Sequence, residues 1–182
     1  MRIAVKGTSG SGKTTTAAMI AARLAIPHIE LDVLNWGPGW LSRSESEWSE
    51  FHRLVDEATS GESWVMCGGY STVNELVLGR ASHLVWLDYS RARVMRQVVS
   101  RSFRRAWQKE ELWPGTGNRE SFRSWLDPDH PIRWAWSTWA RRRKGFTKIA
   151  KGGEFGPLQV ERLQSPKAIP ALLERLAQAN RA

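Results

Sequence analysis

The chain has 182 residues, one domain by the usual length range, and its 41% hydrophobic and 25% charged composition excludes a disordered or fibrous protein. It carries 27 Lys+Arg against 18 Asp+Glu, a formal net charge of +9, and its one cysteine excludes an internal disulfide and fits a reducing compartment. No apolar run approaches the ~18 residues of a membrane span, and the opening strand-like run leaves no room for a signal peptide, so a cytoplasmic domain with no membrane partner is expected. Residues 2–5 read as a short buried strand, and Gly7 to Thr14 as a turn. Thr14 to Ala25 reads as a helix with Ala17, Ala18, Ala21 and Leu24 on one face, ended by Pro27. His28 to Leu31 is a second strand, and Asn35 to Trp40 a loop in which two tryptophans frame Gly-Pro-Gly. Ser44 to Thr59 reads as one helix, opened by a Ser44/Glu47 capping box, with Trp48, Phe51, Val55 and Ala58 on one face. Trp64 to Cys67 and His83 to Leu87 are continuous apolar runs, typical of strands covered on both faces. Ser90 caps a helix running to about Trp107, residues 108–131 are irregular, and Ile132 to Lys144 is helical. Leu158 to Leu163 is a last strand, and Pro166 to Ala179 a closing helix. Strands alternating with helices imply a parallel α/β sheet.

The charge is unevenly placed. Residues 91–151 hold 16 Lys/Arg and 5 Asp/Glu, a net of +11, which leaves −2 for the rest. Eleven tryptophans are the second compositional anomaly. A basic stretch of this kind suits a polyanionic partner as well as a solubilising surface.

Gly7-x-x-x-x-Gly12-Lys13-Thr14 matches the phosphate-loop pattern in its proper setting, strand before and helix after. Gly7, Gly10 and Gly12 let the backbone turn its N–H groups inward, so Gly7, Ser9, Gly10, Ser11, Gly12, Lys13, Thr14 and Thr15 are the expected phosphate cradle. The positive end of the helix beyond the loop adds to that field. Lys13 reaches the β- and γ-phosphates, and the Thr14 hydroxyl can ligate Mg²⁺.

The phosphate loop, together with several stretches further along the chain, resembles the small P-loop kinases of the adenylate kinase and shikimate kinase type. The chain looks most like the bacterial group named DNA topology modulation proteins, over nearly its whole length. The matching stretches are Gly7 to Thr14, Pro27-His-Ile-Glu-Leu-Asp32, Trp64-Val-Met-Cys-Gly-Gly-Tyr70 and Val85-Trp-Leu-Asp88. Glu111-Leu-Trp113, Gly117-Asn-Arg-Glu-Ser121 and Trp134-Ala-Trp136 complete them. The resemblance implies a three-layer P-loop fold, with a five-stranded parallel sheet in 2-3-1-4-5 order and helices on both faces. It also implies ATP with Mg²⁺ as ligand and a mobile, basic, helical lid. The core would span 1–90 and 156–182, an acceptor-side insert about 34–60, and the lid about 100–151. Two departures stand out. Such kinases carry an Asp at the end of the third strand to hold Mg²⁺-bound water, whereas this chain has Cys67, mostly a neutral thiol and a poor Mg²⁺ ligand. The lid motif also carries extra residues, Pro114-Gly-Thr116, before Gly117.

With Cys67 in that place, Asp32 is the carboxylate expected near the γ-phosphate, because strand carboxyl ends face the ligand crevice in open α/β sheets. It would hold Mg²⁺-bound water or take the proton of an acceptor hydroxyl, and otherwise serve as a turn residue. Glu30 is a weaker candidate, and Asp88 reads as a turn residue. Phosphoryl transfer needs cations over the moving group. By resemblance, Arg101, Arg104, Arg105, Arg119 and Arg123 are lid arginines, of which Arg101 and Arg119 are chosen as catalytic. Trp36 and Trp40 lie where such kinases bind the acceptor, and either line that pocket or pack on the neighbouring helix. Arg43 could meet an acceptor phosphate. Ser165-Pro-Lys167 would lie near adenine by analogy. The leading expectation is a kinase passing the ATP γ-phosphate to a nucleotide or small-molecule hydroxyl or phosphate. The alternative is a nucleotide-binding regulator with weak ATPase activity that holds nucleic acid through its basic segment, where aromatics stand among cations.

Overall fold

The computed structural model describes residues 1–152 and 155–181; Ala182, the end of the expected core segment, lies outside them. Five strands, β1 (Arg2–Gly7), β2 (His28–Glu30), β3 (Trp64–Cys67), β4 (His83–Leu87) and β5 (Gln159–Leu163), form one sheet in the order β2-β3-β1-β4-β5. All neighbours run parallel, with Val5 opposite both Cys67 and Val85 at the centre. The expected strand order and parallel sheet therefore hold.

Eight helices surround the sheet among the described residues: α1 (Lys13–Leu24), α2 (Leu31–Asn35), α3 (Arg43–Ser46), α4 (Trp48–Ala58), α5 (Asn74–Arg80), α6 (Arg91–Gln108), α7 (Pro131–Ala150) and α8 (Ile169–Ala179). Alternation along β1 sends Ile3 and Val5 to one face and Ala4 and Lys6 to the other. On the first face Ile20 and Leu24 of α1, Val94 and Val98 of α6, and Leu172 and Leu176 of α8 close the core. On the second, Leu31 of α2, Phe51 and Val55 of α4, and Val77 and Leu78 of α5 pack on Met66 and Leu84. Burial on both faces explains why β3 and β4 read as unbroken apolar runs. No helix among the described residues is long and apolar enough to cross a membrane.

Local physics corrects several expectations. β2 stops at Glu30 and Leu31 opens α2, so Asp32 stands in a helical first turn. The expected helix 44–59 is two helices broken at Glu47 (φ −134°, ψ 52°). The capping box does not form, because the Ser44 N–H is taken by Asn35 Oδ1 at 2.8 Å. Trp48, expected on the apolar face, is 52% exposed, whereas Phe51 and Val55 are fully buried. Of the four α1 residues expected on the packed face, Ala18 is exposed, and Thr16 and Ile20 join the buried stripe. That helix ends on Ala25 in a left-handed conformation (φ 53°), before Pro27. A short helix, α5, occupies a stretch to which the sequence assigned no element, and α7 continues six residues past Lys144 to Ala150. Pro166–Ala168 is a 3-10 turn ahead of α8.

Candidate active site

β1 delivers the chain to the loop at Gly7, and the loop delivers it to α1 at Lys13. Gly10 (φ 81°) and Gly12 (φ 89°) both adopt left-handed conformations, which place N–H groups on the inner side of the turn. A Cβ on Gly10 would sit 2.6 Å from the Val98 Cβ, so α6 presses directly against the loop. A Cβ on Gly12 would meet nothing within 4 Å, so the loop's mouth is open there. The loop is tied by Ser11 N–H to Thr8 O at 3.1 Å. Lys13 Nζ donates to Thr8 O at 3.1 Å and forms no ion pair with any carboxylate among the described residues. Burial, with Arg142 next, lowers its pKa to about 8, while Asp32 pulls the other way.

Around this loop the C-terminal ends of β2 and β3 bring the remaining groups. Asp32 Oδ1 accepts a hydrogen bond from the Tyr70 hydroxyl at 2.8 Å. Cys67 is buried at the end of β3; its thiol donates to Thr14 Oγ1 at 3.7 Å and lies 3.6 Å from His28 Nε2. Burial pushes that thiol up to about 11, the Thr14 hydrogen bond opposing, so it is neutral at pH 7. Glu30, half-buried beside His28, is raised above the usual carboxylate range, mainly by burial. Lys6 is 2% exposed, donates to Asn74 Oδ1 at 3.0 Å, and is lowered to about 7 by burial, then by Arg142 and Lys13.

α6 and α7 supply arginines. Arg101 and Arg105 succeed Val94 and Val98 on the face of α6 that meets the loop, and both have buried Nε atoms without a partner among the described residues. Burial, then Arg105, lowers Arg101 to about 10. Arg142 of α7 is a site residue that sequence reasoning missed. Its Nη2 donates to Gly69 O at 2.6 Å, and a Cβ on Gly69 would lie 2.3 Å from that nitrogen. Its signal was spacing: Ala135, Thr138 and Phe146 are the buried positions of α7, and Arg142 falls on their stripe. The adjacent Arg143 turns to Asp88, which is buried; Arg143 Nε and Arg162 Nε donate to its two oxygens at 2.8 and 3.0 Å. Burial works against ionisation of Asp88, but those hydrogen bonds prevail and hold its carboxyl below the usual range. Asp88 is therefore more than a turn residue: it fastens α7 to β4 and β5 and so places Arg142.

The other expected residues are gathered differently. Trp36 stacks on Trp113 at 5.6 Å and 16°, and Trp40 meets both edge-on at 5.8 Å. Asn118, 3% exposed, clasps the same loop: its Nδ2 donates to Gly37 O and its Oδ1 accepts from Trp40 N–H, each at 2.9 Å. The 110–120 segment and the loop after Asp32 are thus one packed unit. Arg43 donates to Leu34 O at 3.2 Å and lies 3.5 Å from Glu47. Arg119 is exposed and donates to Lys109 O. The Ser165 hydroxyl accepts from Lys167 N–H at 3.3 Å, shaping the turn into α8. Among the described residues no group of three or more His, Cys, Asp or Glu is arranged to hold a metal ion.

This arrangement of sheet, loop and helices is the small P-loop kinase fold. No protein-family model matches the chain. No curated protein matches it. Solved structures do: a shikimate kinase from Bacteroides thetaiotaomicron is similar at 18% identity and a TM-score of 0.55, covering 100% of this chain and 99% of that one. A shikimate kinase from Acinetobacter baumannii in complex with shikimate is similar at 16% identity and a TM-score of 0.57, covering 98% and 91%. An uncharacterized protein from Eubacterium ventriosum is similar at 12% identity and a TM-score of 0.55, covering 100% and 99%. Likeness at these identities establishes the fold.

Proposed function

We propose that the protein is an ATP-dependent phosphotransferase whose acceptor is a nucleotide or small molecule bearing a hydroxyl or phosphate. One observation carries the reading: a half-buried Lys13 with no ion-pair partner among the described residues, at the mouth of an open N–H-lined loop, its charge drawn toward Asp32. A partly desolvated cation without an anion is costly, and a polyphosphate is the ligand that relieves it. The triphosphate lies on Gly7, Ser9, Gly10, Ser11, Gly12, Lys13, Thr14 and Thr15. Asp32 accepts the acceptor proton, and Arg101 with Arg119, joined by Arg105 and Arg142, faces the transferring group as its charge spreads. Trp36, Trp40 and Arg43 border the acceptor from the 34–60 insert, and the 100–151 region is the lid.

The residues present fit Mg²⁺ in the sparse way that ion accepts. Thr14 Oγ1 would hold it directly and the Asp32 carboxylate through a bound water, phosphate and water would supply the remainder, and the neutral Cys67 thiol would contribute none. Held there, the ion would neutralise charge on the bound phosphates. The experiment is ADP release from ATP across a panel of nucleotides, nucleosides and hydroxy acids, shikimate included because one similar structure holds it. Stimulation above tenfold by one class is the expected result, and no stimulation by any class contradicts it.

A second reading, a nucleic-acid-binding regulator with weak ATPase activity, has its own observation. Phe103 and Trp107 stack at 6.1 Å and are 52% and 73% exposed on the basic segment. Single-strand affinity falling steeply with salt would support it. Membership of the group named DNA topology modulation proteins, supported by the matching sequence stretches, and a cytoplasmic location, supported by the single cysteine, are part of the proposal.

A further inference from the structure

We infer that Tyr70 is the positioning residue of the phosphoryl-transfer step: it orients the Asp32 carboxylate and links it to the buried Phe51 of α4. The inference rests on the proposed role of Asp32 as the base for the acceptor. Two observations converge on it. The Tyr70 hydroxyl donates to Asp32 Oδ1 at 2.8 Å, which occupies one oxygen and leaves Oδ2 for the acceptor. The Tyr70 ring is itself fixed, set edge-on against Phe51 at 5.2 Å, and Phe51 is fully buried in the core of α4. A carboxylate on the first turn of a five-residue helix would otherwise choose its own rotamer. Through the Phe51 ring, Tyr70 ties that choice to α4 of the insert.

The chemistry assigns the phenol a donor's part throughout. The Tyr70 hydroxyl lies 2.8 Å from a carboxylate oxygen, which can only accept, so the phenol supplies the proton of that bond. In the transfer, Asp32 Oδ2 takes the proton of the acceptor hydroxyl as that oxygen bonds to the γ-phosphorus. The bond from the γ-phosphorus to the β,γ-bridging oxygen breaks, and ADP leaves with the electron pair. The protonated Asp32 then returns its proton to solvent. Tyr70 contributes by keeping Oδ2 on the line of attack, where a displacement of about 1 Å costs roughly a hundredfold in rate.

The test uses the full chain with ATP and Mg²⁺, water serving as acceptor, and reads phosphate release, ATP affinity by calorimetry and the melting temperature. Tyr70→Phe keeps the ring on Phe51 and deletes only the hydroxyl. It should lower kcat about 10- to 100-fold while the ATP dissociation constant stays within twofold. Asp32→Asn should remove most activity, and Tyr70→Phe added to it should cost nothing further, since the hydroxyl acts through the carboxylate. Full kcat in Tyr70→Phe, or losses that multiply in the double variant, overturns the inference. Asp32→Asn with wild-type activity overturns instead the reading of Asp32 beneath it. A Tyr70→Phe protein that also loses ATP affinity and melts early makes the hydroxyl a structural prop, and that too overturns the positioning role.

Discussion

Replacing Asn118 with alanine should release the 110–120 segment from the loop just beyond Asp32. The side chain is 3% exposed and makes two hydrogen bonds of 2.9 Å to the backbone of Gly37 and Trp40. Each is worth about 1 kcal/mol net, and leaving the two backbone groups without partners adds about 1 kcal/mol more, for a total near 3 kcal/mol. What remains of the clasp is the tryptophan cluster, whose pairs contribute roughly 0.5–1.5 kcal/mol each. A loss of about 3 kcal/mol raises the local opening equilibrium about a hundredfold, at about 1.4 kcal/mol per decade. Amide hydrogen exchange measures that opening. The Trp40 amide loses its acceptor directly, so the informative amides are Gly37, which donates to Leu41 O at 2.9 Å, and Leu112, which donates to Asn118 O at 3.0 Å. Both should exchange about a hundredfold faster in the variant, with the amides of β1 and β4 unchanged. Rates at Gly37 and Leu112 within threefold of wild type would refute the claim that Asn118 holds the two segments together.

Lys6 makes stability depend on pH. Its folded-state value of about 7 lies below the ordinary 10.5, so between those values the unfolded chain binds the extra proton and stability rises with pH. Lys6→Met should remove that slope: in urea unfolding the variant is the more stable at pH 7, and the gap closes by about 1.4 kcal/mol per pH unit toward pH 10. Equal slopes in the two proteins would contradict it. Cys67→Asp places a carboxylate where the neutral thiol now meets Thr14 at 3.7 Å, and should raise ATP turnover about tenfold. No gain, with Asp32→Asn still active, would overturn the account of how the metal is held.

The parts of the fold that the sequence made legible are those whose signal is local. β3 and β4 are apolar runs bounded by breakers, and the expected limits, Trp64 to Cys67 and His83 to Leu87, are the observed ones. The phosphate loop needs only glycines at fixed offsets between a strand and a helix. Ser44 and Glu47 also satisfied a local rule, but Asn35, nine residues upstream, supplies the acceptor and the helix breaks at Glu47. Arg142 was hidden because Arg141, Arg142, Arg143 and Lys144 look alike in one dimension. Helical phase separates them, sending Arg142 to Gly69 and Arg143 to Asp88. Tyr70 and Asn118 act across 38 and 78–81 residues of chain, a distance over which spacing carries no information. The charge excess of residues 91–151 is partly explained in the same way: Arg101, Arg105 and Arg142 turn toward the loop, whereas Arg143 serves the Asp88 anchor.

The most direct test of the central claim is the ATP·Mg²⁺ dissociation constant of the wild-type chain and of Lys13→Ala, measured by calorimetry at pH 7. Lys13, lowered to about 8 yet still protonated at that pH, has no ion-pair partner among the described residues to compete with a phosphate. Its removal should weaken binding at least a hundredfold, as expected for a half-buried charge-assisted contact worth roughly 3 kcal/mol. Affinity within threefold of wild type in Lys13→Ala would contradict the account.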